Sequence, residues 1–413
     1  MKKVFLLLSV AAIAISCTTQ IDPVIPVPKD AEPLALKAGM EKKVNQDNDF
    51  AFGLLKKTIT SSGETNVFIS PLSVSIALGM ARNGANGQTK SEIETALKMS
   101  DMSSNDINEY YRLMQTSLPA VDPTTKLSIA NSLWYKTGFP VKQDYLKVNS
   151  DYFGAYIKAL DFKQLWAVDT INNWCAKKTN NLIKKPLDQI PEDAVMYLVN
   201  AIYFKGIWRK HFDTKNTKEA DFTTEAGNKV KVNMMYQKDT FAYAADSYAQ
   251  YLDMPYGNKA FSMTVILPLE GKTTDDVLNN MNAVYWNDLL NRMSNKEVEV
   301  YMPRFKNQNK FILNEPLKNM GMKTAFTVNA DFRNIADTDL MISRVIHDTY
   351  IELTEEGTEA AAVTIIEIMT TSMPVEPPVI PVFRVNKPFV YVIREKSTGV
   401  ILFAGKTGSV EKY

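Results

Sequence analysis

The hydrophobic and polar positions of this chain predict helices in its first half and strands in its second. Ser70-Pro71 has the order of an N-cap followed by proline in the first turn, and Ile76, Ala77, Met80 and Ala81 follow at helical spacing. A Gly-Ala-Asn-Gly turn at 84 to 87 leads to a second predicted helix, starting at Thr89 with Glu92 three residues on in the pattern of a capping box. The stretch INNWCAKKTN around Cys175 reads as an amphipathic helix. Later, residues 195 to 205 (VMYLVNAIYFK), 261 to 267, 297 to 302 and 390 to 393 are rich in β-branched and aromatic side chains and predict strands. Both element types are abundant without a regular βαβ alternation, which predicts an α+β protein with mainly antiparallel sheets. From about residue 41 to 413 there is no linker, repeat or low-complexity stretch, so one domain is expected.

One segment fits neither pattern easily. Residues 358 to 373 carry no Gly or Pro before Pro374, far beyond a mean strand of about five or six residues. A helix is disfavoured by Thr358, Val363, Thr364, Ile365, Ile366 and Ile368, whose branched side chains lose rotamer freedom there. Read as a strand, one face holds Thr358, Ala360, Ala362, Thr364, Ile366 and Ile368, and the other Glu359, Ala361, Val363, Ile365, Glu367 and Met369. Both carboxylates share a face, so a slip of one residue would bury them and the register is specified. The continuation through Pro374, Pro377, Pro378 and Pro381 is unsuited to a central strand. The segment is expected to be strand-competent first and looped last.

Composition adds little beyond an ordinary globular protein. The 413 residues are 45% hydrophobic and 23% charged with a net charge of +1, which gives no reason to expect nucleic acid as partner. The N-terminus says more. Lys2-Lys3, an apolar run over residues 4 to 15 and Ser16-Cys17 read as a bacterial secretion signal, and Ala14-Ile15-Ser16-Cys17 resembles a lipobox. The alternatives are a plain signal peptide or a membrane helix, but the run is shorter than the ~20 residues that span a bilayer. The expectation is a signal peptide over 1 to 16, lipid on Cys17 and a proline-containing tether over 17 to 40, anchoring the protein by acyl chains alone. The expected address is the cell envelope, on the periplasmic or outer face of an outer membrane, or released from it. Apart from Cys17 the one cysteine is Cys175, so no intrachain disulfide is expected.

Candidate chemistry is sparse. His211 and His347 sit in KHFD and VIHDT without metal-ligand spacing, so no metal site is expected. Cys175 reads as a small buried hydrophobe. There is no phosphate-cradling loop and no G-x-S-x-G. Glu355-Glu356 and Asp275-Asp276 are adjacent acids, which point apart and are usually solvated. An enzyme is not expected, nor a cofactor.

The motifs do match a known family. Glu355-Glu356-Gly357-Thr358-Glu359-Ala360-Ala361-Ala362 resembles the hinge of inhibitory serpins: two polar residues, a glycine, a small hydroxyl residue and a run of alanines. Asn66-Val67-Phe68-Ile69-Ser70-Pro71-Leu72-Ser73 resembles the family stretch that opens a buried helix, and Val199-Asn200-Ala201-Ile202-Tyr203-Phe204-Lys205-Gly206-Ile207-Trp208 a central strand with its tryptophan. Pro303-Arg304-Phe305, Lys387-Pro388-Phe389 and Gly405-Lys406 extend the likeness over roughly residues 45 to 410.

The resemblance implies a serpin fold over 41 to 413, with about nine helices around three mainly antiparallel sheets and an exposed reactive-centre loop at about 355 to 382. It implies a suicide-substrate inhibitor of serine proteases: the loop is cleaved, and the acyl-enzyme is trapped as residues 358 to 369 insert into the main sheet, a family behaviour already general knowledge. The scissile bond lies fourteen residues beyond the hinge glycine in the family, giving Thr371-Ser372 here. Met369 and Thr370 stay open as alternatives, because the stretch from 372 to 383 is longer than usual and proline-rich. Without Arg, Lys or a large aromatic at the bond, elastase-like or subtilisin-like proteases fit best, and papain-like cysteine proteases stay open. Ser70, Ser73, Asn200 and His347 fall on the family's shutter and Trp208 on its breach. The expected partner is one protease in a covalent 1:1 complex with a monomer. No heparin-like activator is expected, because residues 100 to 125 carry Asp101, Asp106, Glu109 and Asp122 against Arg112 and no lysine. The alternative is a non-inhibitory member serving as ligand carrier or chaperone, although such members tend to lose the small hinge residues.

Overall fold

A computed structural model describes residues 28 to 99, 101 to 358 and 380 to 412. Nine α-helices and fifteen strands are found among them. The helix Pro71–Gly84 starts as its sequence predicts: Pro71 occupies the first turn, and the Ser70 hydroxyl accepts from the Ser73 amide at 3.3 Å. The next helix differs. It runs Gly87–Ala96 from Asn86, two residues before the expected start at Thr89. Thr89 and Glu92 spend their oxygens on a distant segment instead, accepting from the Asp331 amide and from the Lys323 and Thr324 amides. The predicted strands appear as Met196–Ile207, Phe261–Pro268, Ser294–Pro303 and Phe389–Glu395, and Cys175 lies buried on the helix Trp166–Lys178.

The main sheet has six strands in the order Phe305–Ile312, Ile346–Leu353, Gly357–Thr358, Met196–Ile207, Lys126–Lys136 and Tyr156–Leu160. Every neighbour is antiparallel except the last pair. The remaining strands form two arms that share the long strand Lys229–Ala245, which pairs with Ser294–Pro303 over most of its length and with Ala249–Pro255 at its end. In one arm Phe261–Pro268, Phe389–Glu395 and Ile401–Thr407 are buried at every position, so their apolar runs need no alternation. Their aromatic rings meet the main sheet, Phe204 lying 5.6 Å from Phe261 and 6.1 Å from Phe403. The helix Pro71–Gly84 lies in this core with all but two of its residues buried.

No described helix is long and apolar enough to cross a membrane. Residues 1 to 27, with the expected signal and Cys17, lie outside the described residues. The reading of 17 to 40 as a free tether is too long at its far end. The Pro28 carbonyl accepts from Arg209 at 2.7 Å, Asp30 pairs with Arg209 and Lys259, and the Ala31 amide donates to Asn258 O at 2.8 Å. Proline-rich composition hid this docking, in which Ala31, Leu34 and Leu36 also pack against the core.

Candidate functional site

Among the described residues, the strands Ile346–Leu353 and Met196–Ile207 are joined by Gly357 and Thr358 alone. Leu353 pairs with Thr358, and Gly357 and Thr358 pair with Ile207 and Gly206. Beyond this bridge no described residue pairs with both strands. A cavity of about 670 Å³ opens there, lined by residues 196 to 201 on one side, Ile346, His347 and Asp348 on the other, and Ser73 and Ala77 of the buried helix beneath. Among the described residues the sheet is parted along the place where a further strand would fit.

The hinge above the cavity is held at each residue. Thr354 and Gly357 exchange backbone hydrogen bonds at 2.9 and 3.3 Å, closing a tight turn. Gly357 has φ +149°, and a Cβ there would lie 2.1 Å from Gly206 O, so no other residue fits. Trp208 donates its amide to Glu356 O at 2.7 Å and its indole N–H to Thr354 O at 3.1 Å. Its ring stacks on Tyr256 at 4.4 Å, and the Tyr256 hydroxyl is hydrogen-bonded to the Thr358 hydroxyl at 2.7 Å. Thr358 is thus buried on the inward face.

Glu355 corrects the expectation that the paired acids are solvated. Its side chain is only 4% exposed and is gripped by Arg304, whose Nε and Nη2 donate at 2.8 and 2.6 Å, and by the Thr217 hydroxyl at 2.5 Å. Burial pushes this carboxyl up, but the hydrogen bonds from Arg304 and Thr217 outweigh it and hold the group below the usual carboxylate value. Both acids sit in the tight turn between Leu353 and Gly357, where Glu355 is turned onto Arg304 and Glu356 is half-buried.

Beneath the gap the buried Ser70, Ser73 and His347 and the half-buried Asn200 meet in one network. The Ser70 amide donates to His347 Nε2 at 2.9 Å, and the Ser70 hydroxyl to Leu402 O at 2.7 Å. Ser73 donates to the Asn200 side-chain carbonyl, and Asn200 donates on to Asn131 at 2.6 Å. Because Nε2 accepts, the imidazole is neutral, and burial pushes its pKa down to about 4. Asn131, Arg304, Thr217 and Tyr256 complete these clusters and were not legible as site residues. Asn131 had a signal only through register, since it lies directly opposite Asn200.

The hinge residues Glu359, Ala360, Ala361 and Ala362, the proposed bond Thr371-Ser372 and its alternatives Met369 and Thr370 lie outside the described residues. No group of three or more His, Cys, Asp or Glu among the described residues could hold a metal ion. The Cys175 thiol is pushed up to about 12, by burial first and by the Asp348 charge second, and is inert as a nucleophile.

Comparison with known proteins agrees with this geometry. Residues 45–409 match a model described as Serpin (serine protease inhibitor). Human neuroserpin is 31% identical over 370 residues, covering 87% of this chain and 89% of its own. The thermophilic serpin Tengpin in its native state superposes with a TM-score of 0.83 at 33% identity, over 92% of this chain and 97% of its own. Human thyroxine-binding globulin complexed with thyroxine gives 0.80 at 26% identity, over 90% and 100%. With its parted sheet, gripped hinge and serine-asparagine-histidine network, this chain belongs to the serpin family, whose members are mostly protease inhibitors.

Proposed function

We propose that this serpin is a suicide-substrate inhibitor of elastase-like or subtilisin-like serine proteases. The observation that carries the reading is the two-residue strand Gly357–Thr358 standing at the mouth of a gap between strands that no other described residue bridges. Each step along the loop is one step back along its antiparallel neighbour, so with Thr358 opposite Gly206, Ile368 falls opposite Met196, the other end of that strand. The gap therefore suits residues 358 to 368, a stretch without Gly or Pro. Thr358 faces inward, which sends Ala360, Ala362, Thr364, Ile366 and Ile368 inward and keeps Glu359 and Glu367 on the other face.

In this mechanism the protease attacks the bond after Thr371, and insertion begins before the acyl-enzyme is hydrolysed. A strand that completes two hydrogen-bonded ladders makes the process one-way. Met369 and Thr370 are the alternative bait residues. The product is a covalent 1:1 complex of a monomer, without cofactor, nucleic acid or heparin-like activator. Lipid on Cys17 would hold the protein at the envelope of a bacterial cell, on either face of the outer membrane.

Incubation of the domain with elastase is expected to give an SDS-resistant adduct and a released peptide that begins at Ser372. Ready cleavage without adduct would sink the inhibitory reading, and another peptide start would move the bond. The likeness to thyroxine-binding globulin favours a carrier as the second reading. Melting before and after loop cleavage separates the two, since an inhibitor should gain a large rise in melting temperature and a chain whose loop stays out should not.

A further inference from the structure

One outward row of side chains has no part in the insertion mechanism. On the C-terminal side of the expected bond the chain is described from residue 380 and forms the strand Val382–Arg384, which runs parallel to Ser294–Pro303 at the edge of its sheet. Arg384 pairs with Tyr301, and Tyr301 with Tyr236 on the long strand Lys229–Ala245, so the three stand in one row across three strands. Their neighbours along the strands, Val300, Met302, Phe383 and Met235, are buried, which puts the row on the outer face. The Arg384 guanidinium lies 3.5 Å from the centre of the Tyr301 ring, and the Tyr301 and Tyr236 rings are 4.8 Å apart. Arg384 is exposed and has no acid partner among the described residues. The next row holds Lys238, Glu299 and the exposed Val382, and there Lys238 is taken up by Glu297 at 3.4 Å. An arginine held flat on a ring keeps the donors of its fork free and loses less freedom when it binds. In that form it suits a carboxylate, and Tyr and Arg are among the residue types that dominate protein interfaces.

The length of chain between the two anchors says what meets this row. From Thr371 back to Thr358 is thirteen residues and from Ser372 on to Val382 only ten, so the expected bond lies nearer this end. A protease–inhibitor contact covers about 800 Å² of each partner, more than a few residues of extended chain present, so it spreads onto the surface beside the nearer end. We infer that Tyr236, Tyr301 and Arg384 form a second contact for the target protease, with Arg384 taking a carboxylate on its surface, and that this contact sets how fast the protease is captured. The inference rests on the inhibitory reading above. A charge at the rim of an interface acts mainly on the association rate and its salt dependence. The later partition between adduct and cleaved chain is left alone, because Val382–Arg384 pairs with Ser294–Pro303 and not with the main sheet.

The test is the second-order rate at which pancreatic elastase and subtilisin each consume the full chain, counted as adduct plus cleaved serpin, at about 50 and about 500 mM salt. With at least one of the two, Arg384→Glu should be slower by about tenfold at the lower salt and recover most of the loss at the higher, with its adduct-to-cleaved ratio and melting temperature unchanged. Arg384→Lys should keep the salt dependence and lose part of the rate, since a point charge does not match a carboxylate as the fork does. A wild-type rate from Arg384→Glu with both proteases, or a loss of the same size at both salt concentrations, overturns the inference. The inhibitory reading is scored separately. Adduct at an unchanged rate removes only the second contact, a slowed variant that is cleaved without adduct removes only the inhibitory reading, and a chain that neither protease consumes removes both.

Discussion

Thr358→Arg is expected to convert this serpin from inhibitor to substrate, with adduct yield falling at least about tenfold while loop cleavage continues at its normal rate, since a factor of ten needs only about 1.4 kcal/mol. The argument is local. Thr358 is 4% exposed, its hydroxyl meets Tyr256 at 2.7 Å, and Tyr256 is itself packed between Trp208 and Phe204. A guanidinium there must be buried among aromatic rings without an acid, which costs several times that threshold. Because Thr358 is already paired between the two strands, the cost falls on the native hinge, which is driven out of the sheet and cannot start the insertion. The bond at 371 lies thirteen residues away along the chain, so attack itself should be untouched. Thr358→Val is the control: it keeps the shape and loses one hydrogen bond, about 1 kcal/mol, with a modest loss of adduct. The measurement is the ratio of adduct to cleaved serpin on a denaturing gel. Undiminished adduct from Thr358→Arg would refute the inward placement of Thr358 and with it the parity of the whole inserting segment.

What the sequence made legible was what depends on neighbours along the chain. Ser70-Pro71 starts a helix because capping is local, and the strands are visible because pleating makes side chains alternate. Thr89 and Glu92 show the limit of such reasoning, since the spacing that closes a capping box also suits contacts with residues 323 to 331. The His347 network came from family likeness, because nothing local to VIHDT says that Nε2 will meet an amide 277 residues away. Asn131 becomes a candidate only when register sets it against Asn200. Glu355 was misread for the same reason: its partners, Arg304 and Thr217, lie 51 and 138 residues away, and only the folded sheet brings them to one of two adjacent acids.

That ion pair sets the second large expectation. Arg304→Ala should destabilise the native form by about 3 kcal/mol and hasten spontaneous conversion to the inserted form, because it leaves a buried carboxylate without its cation. The Glu355 backbone carbonyl also accepts from Phe212 at 3.0 Å, so the side chain cannot move into water without disturbing the hinge. The pH dependence should change sign. In wild type the carboxyl is held below its ordinary value of 4.5, so its stabilisation is complete above that pH and is lost as pH falls through the depressed value. Without Arg304 burial dominates, the carboxyl rises above 4.5, and protonation relieves the strain as pH falls from 7 toward 5. Melting curves at pH 7 and pH 5 measure this directly: Arg304→Ala should lose most at pH 7 and recover part of the loss at pH 5. Replacing both partners with leucine should recover much of it at both pH values, since burying apolar groups in place of an ion pair costs far less than breaking the pair. An Arg304→Ala melting temperature equal to wild type at pH 7 would show that Glu355 finds other partners and that the hinge does not depend on this clamp.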